Sequence, residues 1–338
     1  MKILLGMSGG LDSTYAAHLL KSHGHTVDGV ALLMSEHTDI TAAAESAESA
    51  GLDFRVIDCR DQFKEHVIQN LIAEYSAGRT PNPCIMCNRY VKIQLLYKYA
   101  VDNGYDKIAT GHYADVKNDG GRYYIQCAGD TAKDQSYVLW QLTQDQLSML
   151  YMPLAGLTKS FIREEARKLS ITAVDRAESQ EICFIPDKDY AGYIEKICGT
   201  FPEGDFINTN GNVLGRHKGI IHYTIGQRKG FGIAFGQRMF VTKITTADNT
   251  VTLAESGAEF TSDLEADGLV YQYLDPAVTE FDAEVKIRYA AKPVPAHTKI
   301  IGGTAYVKFK SPARAVTPGQ SIVFYRDGKI LCGGFIKN

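Results

Sequence analysis

The chain has 338 residues, of which 45% are hydrophobic and 22% charged, and its formal net charge is −3. This length predicts two or three domains, and the composition is typical of a folded, soluble protein. The sequence contains no apolar stretch of the roughly 18 residues that a membrane-spanning helix needs, and its first apolar run is too short for a signal peptide. We therefore expect a cytoplasmic protein that does not coat nucleic acid non-specifically.

The first third of the chain alternates short apolar runs with helical patterns. The predicted strands are KILLGM, VDGVALLM, FRVIDC and DKIATGHY, at residues 2–7, 27–34, 54–59 and 106–113. The predicted helices between them lie at residues 13–23, 40–50 and 62–77. Alternation at this spacing predicts a parallel, doubly wound sheet, whose ligands bind at the carboxyl ends of the strands.

Two later regions have different patterns. Residues 134–196 are mainly helical, most clearly at 161–169, where apolar side chains recur with helical spacing. From about residue 202 the chain has frequent glycines and short alternating runs, and YRDGKI predicts a hairpin with an Asp-Gly turn. The predicted fold class is therefore α/β: a doubly wound nucleotide-binding domain with a helical insertion, followed by two small all-β domains. The boundaries that we expect are 1–201, 202–266 and 267–338.

A glycine-rich loop, GMSGGLDS, follows the first predicted strand and precedes the first helix. Its backbone N–H groups and hydroxyls can approach phosphates at a helix amino terminus, and Asp12 beside a phosphate indicates a Mg²⁺ ion between the two. The loop is neither a Walker A loop nor a dinucleotide fingerprint. Its SGG-x-DS pattern resembles the PP-loop ATP pyrophosphatases, which adenylate a substrate and release pyrophosphate. The alternative is a turn that only joins the strand to the helix.

Seven scattered cysteines indicate free thiols rather than a disulfide scaffold. In GRTPNPCIMCN, Pro81 and Pro83 delay the next helix, so that Cys84 and Cys87 should lie near its start, where a helix amino terminus lowers the pKa of a thiol. A third thiol, Cys183, lies in SQEICFIPD. A zinc site is disfavoured because a second Cys/His pair is missing nearby. The other cysteines are predicted to be small buried apolar residues, namely Cys59, Cys127, Cys198 and Cys332.

Eight motifs together resemble the tRNA-specific 2-thiouridylases, which thiolate the wobble uridine of some tRNAs. They occur in one order along the whole chain: GMSGGLDS, AGRTPNPCIMCN, ATGHY, KDQSYVLWQL, SQEICFIP, YTIGQRKGFGI, KIRY and TPGQSIVFY. The resemblance implies a set of residues for each role. ATP would be held by Gly6, Met7, Ser8, Gly9, Gly10, Leu11, Asp12, Ser13, Leu32 and Gly111. The target base would face Asn82, Pro83 and Cys84, and the tRNA would contact Lys133, Asp134, Gln135, Arg288 and Tyr289.

The resemblance also implies the chemistry. Cys87 matches the catalytic thiol of the family and Cys183 the thiol that carries a persulfide, and the two would form a disulfide during turnover. ATP would activate the uracil O2 as an adenylate, sulfur would be delivered to C2, and AMP would leave. Cys87 would either release sulfide from the persulfide or attack directly. The expected partners are the tRNAs for lysine, glutamate and glutamine and a cysteine desulfurase or sulfur-relay protein, with a monomer as the default state.

Cys84 departs from the family, which usually has Asp at this position. Because a thiol titrates well above a carboxyl, the role of that acid cannot transfer unchanged. Cys84, Cys87 and Cys183 could instead ligate a [4Fe–4S] cluster with one open iron, and we state this as a hypothesis. Two other functions stay open: a PP-loop amidotransferase or ligase, which would give the thiols no purpose, and a non-catalytic tRNA-binding or iron–sulfur carrier, which would leave the ATP loop idle.

Overall fold

The structure, a computed structural model, describes residues 1–175 and 182–337. Its strands, in chain order, are β1 (Lys2–Gly6), β2 (Thr26–Leu33), β3 (Asp53–Asp58), β4 (Lys107–Ala109), β5 (Ala114–Asp119), β6 (Arg122–Cys127), β7 (Leu150–Tyr151), β8 (Gly204–Ile207), β9 (Val213–His217), β10 (Met239–Thr245), β11 (Thr250–Glu255), β12 (Phe260–Tyr271), β13 (Glu280–Lys286), β14 (Val294–Ile301), β15 (Thr304–Arg314), β16 (Ser321–Arg326) and β17 (Lys329–Ile336).

The helices are of three kinds. The α-helical segments are Leu11–Ser22, Ile40–Ser49, Arg60–Phe63, Gln69–Ser76, Pro83–Met86, Ile93–Asp102, Gln144–Met149, Lys159–Lys168 and Tyr190–Cys198. Two π-helical segments, Lys64–Ile68 and Cys87–Lys92, and three 3₁₀ segments, Ser136–Leu139, Thr172–Asp175 and Ile220–His222, complete the set. In the part of the chain that the structure describes, no helix is both long enough and apolar enough to span a membrane.

The amino-terminal sheet is parallel, with the strand order β3-β2-β1-β4-β7. Its central strand β1 is buried on both faces, because helices cover each side, and Ile3, Leu4 and Leu5 have almost no exposed surface. Strands β2 and β3 are added on one side of β1, and β4 and β7 on the other. Parallel sheets bind ligands where the strand order reverses in this way, which is here the carboxyl end of β1. The predicted doubly wound α/β domain is confirmed.

A long helix begins at Pro83. The sequence pattern predicts its start seven residues later, at Tyr90. The side chain of Asn82 caps it by accepting a hydrogen bond from the N–H of Cys84 at 3.1 Å. The π-helical segment Cys87–Lys92 then interrupts the α-helix, and the N–H of Ile93 bonds to the carbonyl of Asn88, five residues earlier. Because this pattern stacks residues five apart, Cys87 and Lys92 lie on one face of the helix.

From residue 202 onward the described chain forms strands and one short 3₁₀ segment, Ile220–His222, so the prediction of an all-β portion is confirmed. Strands β8–β11 form a four-stranded sheet, and β12–β17 form a barrel that closes where β12 pairs with both β15 and β17. The residue at which we placed the third domain, Asp267, lies inside β12. The YRDGKI hairpin is confirmed, with positive φ angles of 52° at Asp327 and 72° at Gly328. The sequence analysis did not predict that the β5–β6 hairpin would extend the barrel sheet.

A buried seam joins the barrel to the amino-terminal domain. The side chain of Gln272 has no exposed surface, accepts a hydrogen bond from the N–H of Ile125 and donates to the carbonyls of Leu139 and Trp140. The indole ring of Trp140 is fully buried and packs directly on Gly333 of β17. The seam fixes the barrel relative to the parallel sheet.

The seam can be tested at Gly333. A Cβ there would lie 2.5 Å from the ring of Trp140, and that ring has no exposed surface. We expect Gly333→Ala to lower the free energy of unfolding by about 1–3 kcal/mol, as overpacking does, measured by urea denaturation. Gly156→Ala is the control, because its Cβ would meet nothing within 4 Å. Equal stability of the two variants would contradict the packing described.

Candidate active site

The glycine-rich loop 6–13 folds back on the first turn of the helix that follows it. The N–H of Ser8 donates to the hydroxyl of Ser13 at 3.2 Å, and the hydroxyls of Ser13 and Thr14 donate to the carbonyl of Gly10 at 3.1 and 2.9 Å. Gly10 is the N-cap and has no side chain to accept from the first-turn N–H groups. This end of the helix therefore presents backbone donors and a positive dipole to an anion.

Two glycines allow close backbone approach at the loop. Gly9 has a φ of +73°, and a Cβ there would lie 2.6 Å from the carbonyl carbon of Ala42. A Cβ at Gly111 would lie 2.9 Å from the backbone nitrogen of Ser13. The ATGHY motif is thus packed against the loop, and Leu32 is buried at the carboxyl end of β2. The residues expected to hold ATP lie together at the carboxyl edge of the sheet.

Asp12 of the loop is ion-paired with Lys159, which the sequence analysis missed. The ammonium of Lys159 lies 2.7 and 2.8 Å from the two carboxylate oxygens, and the hydroxyl of Tyr113 donates to the same carboxylate at 2.8 Å. Lys159 is the first residue of the helix Lys159–Lys168. A positive side chain at a helix amino terminus opposes the helix dipole. That unfavourable placement was the available signal in the sequence.

The three thiols expected to react, those of Cys84, Cys87 and Cys183, lie close enough to act on one another electrostatically, and we call the space among them the recess. Cys87 is buried, and its sulfur lies 3.8 Å from that of Met34, which directly follows β2. Cys84 is open to solvent. Cys183 is exposed, and its charge acts on both other thiols. Residues 179–181, the start of the SQEICFIP motif, lie outside the described residues.

Lys92 is the cation that these thiols share. Burial acts to lower the pKa of its ammonium, but the thiols of Cys87, Cys183 and Cys84 outweigh that effect and hold the pKa above its ordinary value. The π-helical segment accounts for this position, because it places Lys92 on the same helix face as Cys87. The sequence analysis did not single out Lys92, since an α-helical register would direct it elsewhere.

The predicted lowering of the thiol pKa values was wrong for the protein without substrates. Burial raises the pKa of Cys87 to about 12, with Lys92 acting in the opposite direction. Burial also raises the pKa of Cys84, again opposed by Lys92 and reinforced by Cys183. Desolvation of the thiolate therefore exceeds the benefit of the helix amino terminus at these positions.

His112 connects the loop to the thiols. It follows Gly111, and its Nδ1 lies 2.7 Å from the hydroxyl oxygen of Thr110. Burial, together with the charge of Lys92, lowers the pKa of His112 to about 3. The imidazole is therefore neutral at physiological pH and can exchange hydrogen bonds without adding charge.

Asp134 and Gln135, which were expected to contact tRNA, make hydrogen bonds within the protein. The carboxylate of Asp134 accepts hydrogen bonds from the N–H of Ala128 and the hydroxyl of Ser136, at 2.9 and 2.7 Å. The side-chain oxygen of Gln135 accepts from the N–H of Tyr113 at 2.9 Å. These bonds fix the segment that carries Lys133 beside the recess.

The barrel contributes a second wall to the recess. The ring of Tyr289 is 42% exposed, and its pKa is raised by burial and by the charges of Asp134 and Cys84, with Lys133 opposing. Its neighbour Arg288 donates to the carbonyls of Arg314 and Ala315 at 2.8 and 2.7 Å. The structure thus brings Tyr289 to Cys84 and Lys133, while Arg288 bonds to the end of β15.

The barrel also holds the segment that precedes Cys84. The N–H of Thr80 donates to the carbonyl of Pro318 at 2.8 Å, and the amide of Gln320 donates to the carbonyls of Thr80 and Pro81 at 2.8 and 3.3 Å. Pro318 and Gln320 belong to the TPGQSIVFY motif. This motif therefore positions the AGRTPNPCIMCN motif, which contains Thr80 and Pro81. Asn82, Pro83 and Cys84 are therefore fixed from both domains.

The remaining cysteines divide by exposure. Cys59 and Cys332 are buried as predicted, and Cys127 is half-buried. Cys198 is exposed at the end of the helix Tyr190–Cys198, so the prediction of a buried residue was wrong there. Within residues 1–175 and 182–337, no group of three His, Cys, Asp or Glu side chains is placed to hold a metal ion.

Three family models match the chain in succession. Residues 1–187 match the tRNA methyl transferase HUP domain, residues 191–255 the tRNA methyl transferase PRC-barrel domain, and residues 262–336 the aminomethyltransferase beta-barrel domain. The chain is 42% identical over 351 residues to the tRNA-specific 2-thiouridylase MnmA of Clostridium acetobutylicum, covering 99% of both proteins. The chain belongs to the tRNA-specific 2-thiouridylase family.

Further members of the 2-thiouridylase family match over the same length. The MnmA proteins of Clostridioides difficile and Carboxydothermus hydrogenoformans are 41% and 42% identical to the chain, over 99% of this chain and 97% of each relative. The resemblance predicted from the eight motifs is confirmed. The family relationship extends through both β domains, and the second of them, the barrel, brings Tyr289 and Gln320 to the recess.

The role of Lys92 can be tested through the thiols. Lys92→Met removes a positive charge that favours the thiolates, so the pKa of Cys84 should rise further. We would measure the alkylation rate of each cysteine by mass spectrometry across a pH series, where the midpoint for Cys84 should move to higher pH.

Two matched variants control this measurement. Lys92→Arg keeps the charge and should keep the midpoint near that of the wild type. Lys98→Met removes an exposed lysine from the same helix and should change nothing. An unchanged midpoint in Lys92→Met would show that its ammonium does not act on the thiols.

Proposed function

We propose that the protein is an ATP-dependent tRNA sulfurtransferase that replaces the O2 of the wobble uridine with sulfur. The observation that carries the proposal is the recess in which Cys84, Cys87 and Cys183 share the charge of Lys92. Gly111 and His112 connect this recess to the glycine-rich loop. The relatives that match the chain over its full length are tRNA-specific 2-thiouridylases, which supports the same reaction.

The first step that we propose uses ATP as a co-substrate. Loop 6–13, with Leu32 and Gly111, binds the nucleotide, and the uracil O2 attacks the α-phosphorus so that pyrophosphate leaves. The uncapped helix at Gly10 and the close approach at Gly9 support phosphate binding there. Asp12 is the carboxylate of the loop that could ligate a phosphate-bound Mg²⁺, an ion that usually needs only one or two carboxylates beside phosphate oxygens and waters. Both of its oxygens contact the ammonium of Lys159, and its side chain is 31% exposed, so one side stays open to a ligand. When bound, Mg²⁺ would neutralise charge on the phosphates.

The tRNA binds, in this proposal, across the recess between the two domains. Single-stranded bases stack on aromatic rings, and the exposed ring of Tyr289 beside Cys84 supports a contact of this kind. Lys133 provides a charge for the phosphate backbone, and Asn82, Pro83 and Cys84 face the target base. Asp134, Gln135 and Arg288 act by fixing these surfaces. The tRNAs that we propose as substrates are those for lysine, glutamate and glutamine.

The sulfur transfer that we propose passes through two cysteines. A cysteine desulfurase or sulfur-relay protein converts Cys183 to a persulfide, and the exposure of Cys183 supports transfer between proteins. The terminal persulfide sulfur attacks C2 and AMP leaves. The Cys87 thiolate then attacks the inner sulfur of Cys183, which releases the thiouridine and leaves a Cys87–Cys183 disulfide. Two electrons from an external thiol reductant restore both cysteines.

A second order of the same events gives the same products. Cys87 attacks the inner sulfur of the Cys183 persulfide first, the disulfide forms, and the hydrosulfide that is released attacks C2 of the adenylate. In both orders one sulfur enters the uridine, one oxygen leaves on AMP, and the disulfide must be reduced. Both orders require Cys87 and Cys183 in one recess.

The arrangement of the thiols does not support the iron–sulfur hypothesis. Among the described residues, Cys84, Cys87 and Cys183 do not form a set placed to hold a metal, and no step of our proposal uses a cluster. The raised pKa of Cys84 means that it is protonated at neutral pH. It therefore cannot supply the negative charge of the Asp that the family usually has here.

The proposal is tested by thiolation of unmodified tRNA with ATP and a sulfide source. We expect thiouridine only when ATP is present. When a cysteine desulfurase supplies the sulfur as a persulfide, we expect Cys87→Ser to lose at least about 100-fold, because Cys87 is the thiol that we propose to break the persulfide. When a cysteine desulfurase supplies the sulfur, Cys183→Ser should lose a comparable factor.

The exposed Cys198 provides the matched control. Cys198→Ser removes a solvent-accessible thiol outside the recess and should keep the wild-type rate. Cys84→Asp should retain activity if no cluster is required. A wild-type protein that forms no thiouridine, or a Cys87→Ser variant as active as the wild type when a cysteine desulfurase supplies the sulfur, would refute the proposed function.

A further inference from the structure

The glycine-rich loop contains no basic residue of its own. Its sequence, GMSGGLDS, includes one acidic side chain and no lysine or arginine. A Walker A loop, by contrast, carries a lysine that reaches the phosphates. If loop 6–13 binds a nucleotide, the charge of the phosphates and that of Asp12 lie close together and require a cation. The chain must bring that cation from another segment, or take it from solution.

Lys159 is a lysine that the fold brings to this place from 147 residues away. Its side chain is only 8% exposed, although lysine is rarely buried unless it is paired. The ammonium lies 2.7 Å from Asp12, whose side chain is 31% exposed and therefore open on its other side. The charge is thus held at the rim of the loop rather than inside the core.

The backbone of Lys159 is itself fixed. Its N–H donates to the carboxylate of Asp130 at 3.0 Å, and Thr158 caps the helix by accepting from the N–H of Phe161 at 3.2 Å. Tyr113, which follows the ATGH residues of the motif, donates to Asp12 and presents its ring to the Lys159 ammonium at 5.8 Å. Three separate segments therefore orient one ammonium toward the loop.

We infer that Lys159 binds the phosphate chain of the nucleotide at loop 6–13 and stabilises the pyrophosphate that leaves. The inference rests on the proposed function, and it adds a residue that the motifs do not contain. Asp12 holds the ammonium in place before the nucleotide arrives, so little reorganisation is needed on binding. A compact ammonium is suited to phosphate oxygens, whose negative charge increases as pyrophosphate departs.

The test compares ATP and pyrophosphate, which contain a pyrophosphate unit, with AMP, which lacks one. Binding of pyrophosphate, ATP and AMP to the full-length protein would be measured by calorimetry, without tRNA or a sulfur source. We expect Lys159→Met to weaken the binding of pyrophosphate and ATP about tenfold or more, the loss typical of one charged hydrogen bond. AMP, which lacks the pyrophosphate, should bind within about twofold of the wild type.

Control variants separate charge from structure. Lys168→Met removes an exposed lysine from the same helix and should leave every affinity unchanged. Lys159→Arg keeps the charge and should retain most of the pyrophosphate binding. Lys159→Gln removes the charge but keeps a group that can donate to Asp12, so it tests the inference where Lys159→Met folds poorly, and it should also lose pyrophosphate binding selectively.

The outcomes distinguish this inference from the proposed function. A wild-type protein that binds ATP, with Lys159→Met or Lys159→Gln binding pyrophosphate as tightly as the wild type, would refute the role of Lys159 and leave the proposed function standing. An equal loss for AMP and pyrophosphate would also refute it, because that result indicates a structural role. A wild-type protein that binds no ATP would refute the ATP-dependent function as well.

Discussion

The π-helical turn Cys87–Lys92 is the constraint on which the sulfur chemistry depends. An α-helix through these residues would turn the ammonium of Lys92 away from the thiol of Cys87, whereas the five-residue hydrogen bond stacks the two. Pro83 and the Asn82 cap fix where the helix starts, and hence which thiols face the recess. The π-helical turn therefore brings the ammonium of Lys92 to the thiols.

The chain is slightly acidic overall, yet it places single cations at two points of the candidate site. Lys92 lies among the thiols, and Lys159 lies at the glycine-rich loop. In the function that we propose, both act where negative charge accumulates, on sulfur in one case and on phosphate in the other. The imidazole of His112 is kept neutral by burial and by Lys92. Net charge says little about such a site, since the effect of each cation is local.

Some features could be predicted from the sequence because they depend on local chemistry. The parallel strands, the glycine loop and the Asp327-Gly328 turn follow from hydrophobic periodicity and from residues that tolerate positive φ. The π turn, the pairing of Asp12 with Lys159 and the β5–β6 addition to the barrel depend on tertiary contacts between distant segments. The pKa of Cys87 was misjudged for the same reason: the helix start is visible in the sequence, but the burial that outweighs it is not.

Burial also assigns an order to the two cysteines that we propose to react. Thiolates are the nucleophiles, and a thiol with a pKa of about 12 is almost wholly protonated at neutral pH. Buried Cys87 is thus a poor first acceptor of sulfur from another protein, whereas Cys183 is exposed to one. Once a persulfide on Cys183 is brought against Cys87, the attack becomes intramolecular, and proximity offsets the low thiolate fraction. The same burial that suppresses Cys87 in the resting protein therefore protects it from oxidants and external disulfides until sulfur has been loaded on Cys183.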